Sequence, residues 1–285
     1  MGYRIVYSFF RVSLGVLSAV GFLAGPAGPE IPRRVSVLFV GNSLTYVNDM
    51  PRMVADMAAA SGYEMRYKVY APGGRKLSQH AQDPVLLAEI ARGIWDYVIL
   101  QEQSQMPSLE YFQLDNEVYP SARFLSDKVR EANPKARVVF YMTMAHRDGD
   151  AANARYVPEL KTYAGTQERI NRAYVAMAEQ NNALLAPAGE VWQRVRTTAP
   201  EISLYADEAH PNLAGSYLVA CVIYAVLFHR SPPGLPHPSA LPEQVAELIR
   251  DNVYTIMFSR VRPGDGREKQ QRTMGHGANQ PGEIN

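Results

Sequence analysis

From Val35 onward, short apolar runs alternate with longer stretches whose apolar positions recur at helical spacing. Val35–Val40, Tyr97–Leu100, Val138–Met142 and Ala183–Ala186 are apolar on both alternating faces. That is the pattern of strands covered by helices on both sides, and it predicts the central strands of a parallel sheet. Glu64–Tyr70 instead alternates polar and apolar residues, which predicts a sheet edge with one exposed face. Helical spacing predicts helices over Asp49–Ser61, Pro84–Arg92, Glu117–Ala132, Pro158–Gln180 and Ala188–Thr198. Strands alternating with helices imply βαβ units, so the fold class is α/β: one doubly wound domain on a five-stranded parallel sheet. A later helix, Asn212–His229, is apolar nearly all round from Tyr217 to Phe228, which predicts burial against the sheet. That stretch is well short of the roughly 20 residues that cross a bilayer. The Pro-rich segment Ser231–Leu241 is a rigid connection to a last helix at Pro242–Met257. Residues 262–285 are polar, Gly-rich and without periodicity, the composition of a disordered tail, so the domain is expected over 33–260.

The first residues have a different character. Arg4 and Arg11 precede the apolar stretch Val12–Leu23, and small and turn-forming residues follow from Ala24 to Pro29. That order is the n-region, h-region and cleavage region of a secretory signal peptide, expected over residues 1–27. Its apolar core of about a dozen residues is short for a permanent span, so cleavage near Ala27 and a secreted or periplasmic protein are expected, with an uncleaved N-terminal anchor as the alternative. No stable membrane insertion is expected after cleavage.

Charge narrows the partners. The chain of 285 residues carries 29 Lys+Arg against 28 Asp+Glu, a net charge of +1. Loss of residues 1–27 removes Arg4 and Arg11 and no acid, leaving 27 against 28, or −1. Neither value supplies the basic surface that phosphate-backbone binding needs, so nucleic acid is excluded as a partner. Cys221 is the single cysteine, so the chain can form neither an internal disulfide nor a Cys-rich metal cage. His237 and His276 show no ligand spacing, and no metal or other cofactor is expected.

Two short segments carry the candidate chemistry. Val35–Val40 runs into Gly41-Asn42-Ser43-Leu44-Thr45, and ligands of open α/β sheets bind at the carboxyl ends of strands. Ser43 sits where a nucleophile should, with Gly41 permitting a tight turn and the amides of a following helix available to a developing anion; the plain alternative is that Asn42 or Ser43 serves only as an N-cap. Far downstream, Asp207-Glu208-Ala209-His210-Pro211-Asn212 can set a carboxylate against one imidazole nitrogen and leave the other free to take a proton. The same letters spell the acidic box of a helicase family, but that reading needs a GxxxxGK[ST] phosphate loop and the sequence has none. His80 and His229 lie on helical stretches and are assigned to the surface or to packing. His146, in the loop Met144–Gly149 after a central strand, is a candidate substrate contact.

The first segment near the N-terminus, the Gly-Gly turn in Tyr70-Ala71-Pro72-Gly73-Gly74-Arg75-Lys76-Leu77 and the DxxHPN segment occur in an order that resembles the SGNH/GDSL hydrolases, within them the branch whose first block reads GNSLT and whose third reads LQEQS. The resemblance covers about residues 35–230 and implies a flavodoxin-like, three-layer α/β/α sandwich. It implies a serine esterase in which Ser43 is the nucleophile, His210 the general base and Asp207 the residue orienting it. It also implies an oxyanion hole from the N–H groups of Ser43 and Gly74, with Gly73 as the near alternative to Gly74 and a second candidate for touching substrate. The third block departs from the usual GxND and offers no Asn, and Gln101 is assigned the side-chain donor's role ahead of Gln103 and Gln105. The expected substrate is a small-molecule or carbohydrate ester, with carbohydrate O-acetyl groups favoured. A lipid acyl hydrolase or an O-acyltransferase would use the same residues, and a non-catalytic carbohydrate-binding module on a hydrolase scaffold is the alternative from another class.

Overall fold

The computed structural model of the chain describes residues 33–259; the expected signal peptide at 1–27 and tail at 262–285 lie outside the described residues. The five apolar or alternating runs form β1 (Arg33–Val40), β2 (Tyr63–Tyr70), β3 (Tyr97–Leu100), β4 (Arg137–Tyr141) and β5 (Leu184–Ala186). All pair in parallel in the order β2-β1-β3-β4-β5. Parallel neighbours need crossovers, and helices supply them: α2 (Met50–Ala60) joins β1 to β2, α4 (Pro84–Ala91) lies between β2 and β3, α6 (Tyr119–Ala132) between β3 and β4, and α7 (Tyr163–Gln180) between β4 and β5. The chain continues through α8 (Ala188–Thr198), α9 (Leu213–Phe228) and α10 (Glu243–Met257). The architecture is a three-layer, flavodoxin-like α/β/α sandwich.

Period-two alternation along the strands divides the apolar side chains between two cores. Val37, Phe39, Ile99, Val139 and Tyr141 face α2, α8, α9 and α10. Leu38, Val40, Val98, Leu100, Val138 and Phe140 face α4, α6 and α7. α9 is buried along its length because α2, α8, α10 and β5 all pack on it, which is why it is apolar all round. Among the described residues no helix is long and apolar enough to cross a membrane.

Several expected boundaries move for local reasons. β5, expected to be central, is the second edge of the sheet and is only three residues long; covering helices make an edge strand apolar too. The helix expected from Asp49 starts at Met50 because Asp49 has φ 53°, a left-handed conformation outside a helix. Pro158–Lys161 is a separate 3₁₀ turn, and α7 begins after Thr162, whose hydroxyl accepts the Gly165 N–H at 3.1 Å. Short helices missing from the sequence-based expectation are α1 (Ser43–Tyr46), α3 (Leu77–His80) and the single turn α5 (Tyr111–Gln113), after which a π-turn at Leu114–Val118 leads into α6.

The register explains why distant segments meet. Val40 of β1 lies opposite Tyr70 of β2 and Leu100 of β3, so the chain leaves the sheet at one level at Gly41, Ala71 and Gln101. β1 stands between β2 on one side and β3 on the other, and this reversal of strand order opens a crevice at the carboxyl end of β1. Because α9 is the helix on which the β1-facing core closes, Leu218→Ala, at a fully buried position, should destabilise the protein by about 2–5 kcal/mol. A lower urea midpoint with an unchanged slope would show it.

Candidate active site

The turn after β1 is too tight for any side chain at Gly41. A Cβ there would stand 2.4 Å from both Gln101 Oε1 and Thr45 Oγ1, so glycine is required by the approach of those two side chains. Asn42 then caps α1: its Oδ1 accepts the Leu44 N–H at 3.1 Å, and its Nδ2 donates to the Arg75 carbonyl at 3.0 Å. The N-cap alternative raised for this segment thus applies to Asn42, and Ser43 is freed by it. As the first residue of α1, Ser43 is only partly buried, and its Oγ lies 3.0 Å from His210 Nε2.

The other face of the His210 ring completes a linear chain. Nδ1 is 2.8 Å from Asp207 Oδ2, while Asp207 Oδ1 accepts the backbone N–H groups of Ala209 and His210, each at 2.7 Å. A carboxylate beside Nδ1 selects the tautomer that donates from Nδ1, so Nε2 is left as an acceptor for the Ser43 hydroxyl proton. The N–H of His210 first and that of Ala209 second push the Asp207 carboxyl down to about 2, which keeps it ionised at neutral pH. The pair is open to water, with side-chain exposures of 41% for His210 and 57% for Asp207. The loop is therefore fixed by hydrogen bonds. Ala206 N–H donates to His210 O at 2.9 Å, and Asn212 N–H donates to Leu204 O at 2.9 Å. Asn212 also caps α9 by accepting the Gly215 N–H at 3.0 Å.

The remaining expected residues occupy distinct places. Gly74 has φ 68°, the left-handed region that glycine enters without strain, and the Arg75 carbonyl beside it receives Asn42 Nδ2 as above. A Cβ on Gly73 would lie 3.6 Å from the hydroxyl of Tyr46, so the Gly-Gly turn and α1 are neighbours. His146 Nε2 is 3.1 Å from Ser104 Oγ, and its loop is bound to the Asp207–His210 segment through Arg147 N–H to Glu208 O at 2.8 Å. Gln101 does not match its expected role as an outward donor. It is fully buried; its Oε1 accepts the Asn42 N–H and the Thr45 hydroxyl, both at 2.9 Å, and its Nε2 donates to the Glu102 carbonyl. An amide used in this way supports the turn that presents Ser43 from below.

This arrangement sits on a fold shared with known proteins. No family model and no curated protein matches the chain. Among solved structures, an SGNH-type protein of Slackia heliotrinireducens is 30% identical with a TM-score of 0.55, covering 68% of this chain and 100% of its own. The chain belongs to the SGNH/GDSL hydrolases. A DUF4886 family protein from Bacteroides uniformis shares the fold at 18% identity and a TM-score of 0.68, covering 79% of this chain and 95% of its own. Axe2, an acetylxylan esterase from Geobacillus stearothermophilus, shares it at 16% identity and a TM-score of 0.50, covering 70% and 96%.

Within this SGNH scaffold, three supporting residues escape a reading of the sequence. Asn48 has φ 56°, and its Nδ2 donates to the Pro211 carbonyl at 3.1 Å and to Ser216 Oγ at 2.9 Å. It thereby clasps the segment after Ser43 to the segment after His210; the only signal was an Asn-Asp pair, residues that tolerate the left-handed region. His80, expected at the surface or in packing, is buried, and its Nε2 donates to the Gly41 carbonyl at 2.8 Å. Burial is the main cause holding its pKa below the usual histidine value, in keeping with a neutral ring. Glu102 is buried beside Gln101, and its only signal was a charged residue two positions after the end of an apolar strand. Among the described residues, no group of three or more His, Cys, Asp or Glu side chains is placed to hold a metal ion.

Gln101→Ala should leave the Asn42 N–H and the Thr45 hydroxyl without their acceptor and open a cavity under the turn. We expect a stability loss of about 2–4 kcal/mol together with the loss of activity. Thermal unfolding decides between the roles, because a donor used only in the transition state would lower kcat and leave the melting temperature unchanged.

Proposed function

We propose that the protein is an exported serine ester hydrolase acting on O-acyl groups of a carbohydrate, O-acetyl above all. The observation that carries this reading is the chain Ser43 Oγ to His210 Nε2 at 3.0 Å and His210 Nδ1 to Asp207 Oδ2 at 2.8 Å. In the first half-reaction His210 Nε2 removes the Ser43 proton as Oγ attacks the ester carbonyl, and the carbonyl π pair moves onto oxygen. The N–H groups of Ser43 and Gly74 hold that oxyanion. Its collapse expels the alcohol, which takes the proton back from His210, and an acyl-Ser43 ester remains. Water, deprotonated by the same imidazole, then releases the carboxylic acid and restores Ser43. Asp207 stabilises the imidazolium in both steps without being protonated.

The carbohydrate part is supported by the polar character of the loops at the carboxyl end of the sheet. Ser104 and His146, both only partly buried, pair there; these groups suit hydroxyl-rich alcohols better than an acyl tail. The fold shared with the acetylxylan esterase points the same way. The basic, apolar and small-residue order of residues 1–27 supports export; intact-mass measurement of native protein should show an N-terminus near Ala27, and finding Met1 or Gly2 on membrane-bound material would replace cleavage by anchoring.

A fluorophosphonate probe should label Ser43 in the wild type and not in Ser43→Ala. With p-nitrophenyl acetate and acetylated xylan, Ser43→Ala and His210→Ala should each lose roughly 10⁴-fold or more in kcat, and the double variant should be little worse than either, as for groups acting as a unit. Asp207→Asn should cost less than either but still a large factor, because the imidazole then adopts the wrong tautomer. Multiplying losses in the double variant would show that Ser43 and His210 do not work as nucleophile and base.

A further inference from the structure

Glu102 joins three segments of the site without touching the space above Ser43. Its carbonyl accepts Gln101 Nε2, the amide whose other end supports the Ser43 turn. One carboxyl oxygen, Oε1, accepts two backbone N–H groups, that of Leu77 at 3.0 Å and that of Gln103 at 2.6 Å. Leu77 opens α3, directly after the turn Gly73–Lys76, and Gln103 opens the loop that carries Ser104. The Glu102 N–H donates to the Tyr174 hydroxyl at 3.1 Å, which anchors the residue to α7. The second oxygen, Oε2, is buried without any hydrogen-bond partner.

Such a residue is costly for the fold alone. Burial, the largest cause, pushes its carboxyl up to about 7 against the opposing pull of the Leu77 and Gln103 amides. The charged groups facing it are few: Glu117, which raises it further, and Lys76, which lowers it, the two held together at 3.2 Å, with the Tyr174 hydroxyl on the α7 side. Since the folded value lies above the usual carboxylate value, the stability of the protonated form is complete at low pH and is lost as pH rises through the folded value. An ionised Glu102 therefore weakens the fold where it strengthens two backbone hydrogen bonds by charge assistance. Both of those bonds hold segments of the candidate site.

We propose that Glu102 is a positioning residue whose ionised carboxylate fixes the Gly73–Lys76 turn and the Gln103–Gln105 loop in the geometry that hydrolysis at Ser43 requires. The idea rests on the serine hydrolase reading of the site. Protonation weakens both anchors at once, so the two segments respond to a single titration.

The test uses ¹⁵N-labelled full-length protein. The Leu77 and Gln103 amide signals are followed from about pH 5.5 to 8.5 beside kcat for p-nitrophenyl acetate, in the wild type and in Glu102→Gln. We expect both amides of the wild type to titrate with one shared midpoint and wild-type kcat to fall as pH drops through it. Glu102→Gln should lack the shared titration. At about pH 8 it should show kcat down about tenfold with KM within about twofold, and a melting temperature no lower than that of the wild type; a merely structural role would lower the melting temperature and leave the shape of the pH profile alone. Amides that fail to titrate together, or a folded Glu102→Gln with wild-type kcat at about pH 8, would overturn the proposal. If the variant does not fold, the coincidence or mismatch of amide titration and kcat in the wild type decides the matter. Failure of the hydrolase reading shows separately, as a wild type that neither reacts with the fluorophosphonate nor cleaves the ester while its amides still titrate.

Discussion

Two hydrogen bonds converge on Gln101 Oε1, one from the Asn42 N–H and one from the Thr45 hydroxyl, both at 2.9 Å and both out of water. They tie the end of β3 to the turn after β1, where a single glycine makes room for the contact. In a dry environment an unmade hydrogen bond of this kind costs its full desolvation penalty, about 1–3 kcal/mol each. The turn therefore has one low-energy arrangement, and that arrangement points Ser43 out of the sheet. His80 adds a third constraint from the opposite side by donating to the Gly41 carbonyl. The position of Ser43 follows from buried polar contacts beneath it, and α1, at four residues, is too short to supply it unaided.

His210 and Asp207 obey a different logic. Both are substantially exposed, so their ion pair contributes little to stability. Their geometry comes from backbone N–H groups closing on Asp207 Oδ1 and from the clasp of Asn48 on Pro211. The loop after β4 braces the same segment: Tyr205 donates to the Ala145 carbonyl at 2.6 Å, and Arg196 donates to the Arg147 carbonyl at 2.8 Å while lying over the Tyr163 ring. A rigid sheet end thus presents Ser43, and a braced surface loop presents His210.

How much of this is legible in the sequence depends on whether a residue's neighbours are local. Strand periodicity located all five strands, and the polar alternation of Glu64–Tyr70 identified one edge, because burial on two faces or one leaves a direct mark on composition. It missed β5 as the other edge, since helices cover that strand and remove the mark. Ser43, Asp207 and His210 were legible because each follows from a short motif at a strand end or a helix start. Gln101 was located and its partners were not. Its place at the end of β3 is a sequence fact, whereas the direction of its amide depends on Gly41 and Thr45, some sixty residues earlier, which only the register of β1 on β3 brings under it. Asn48 and His80 are alike in this respect, because each donates to a backbone carbonyl far away in sequence, and a carbonyl carries no sequence signal at all.

The two ends of the sheet also differ in what they bury. The bodies of the central strands are lined by buried Val, Leu, Ile, Phe and Tyr, while the carboxyl end buries Asn42, His80, Gln101 and Glu102. Two of those four keep a polar atom unpartnered, His80 Nδ1 and Glu102 Oε2. A fold selected for stability alone would replace such groups by apolar residues of similar volume, a change that is often neutral or stabilising. Their concentration within one layer, directly under the serine, is what is expected where local rules yield to a site that must hold backbone amides and a turn in one orientation. The polar layer is therefore best understood as the mount of the Ser43 turn: it gives up some of the stability that the apolar cores on both faces supply, and in return it leaves that turn no alternative arrangement of comparable energy.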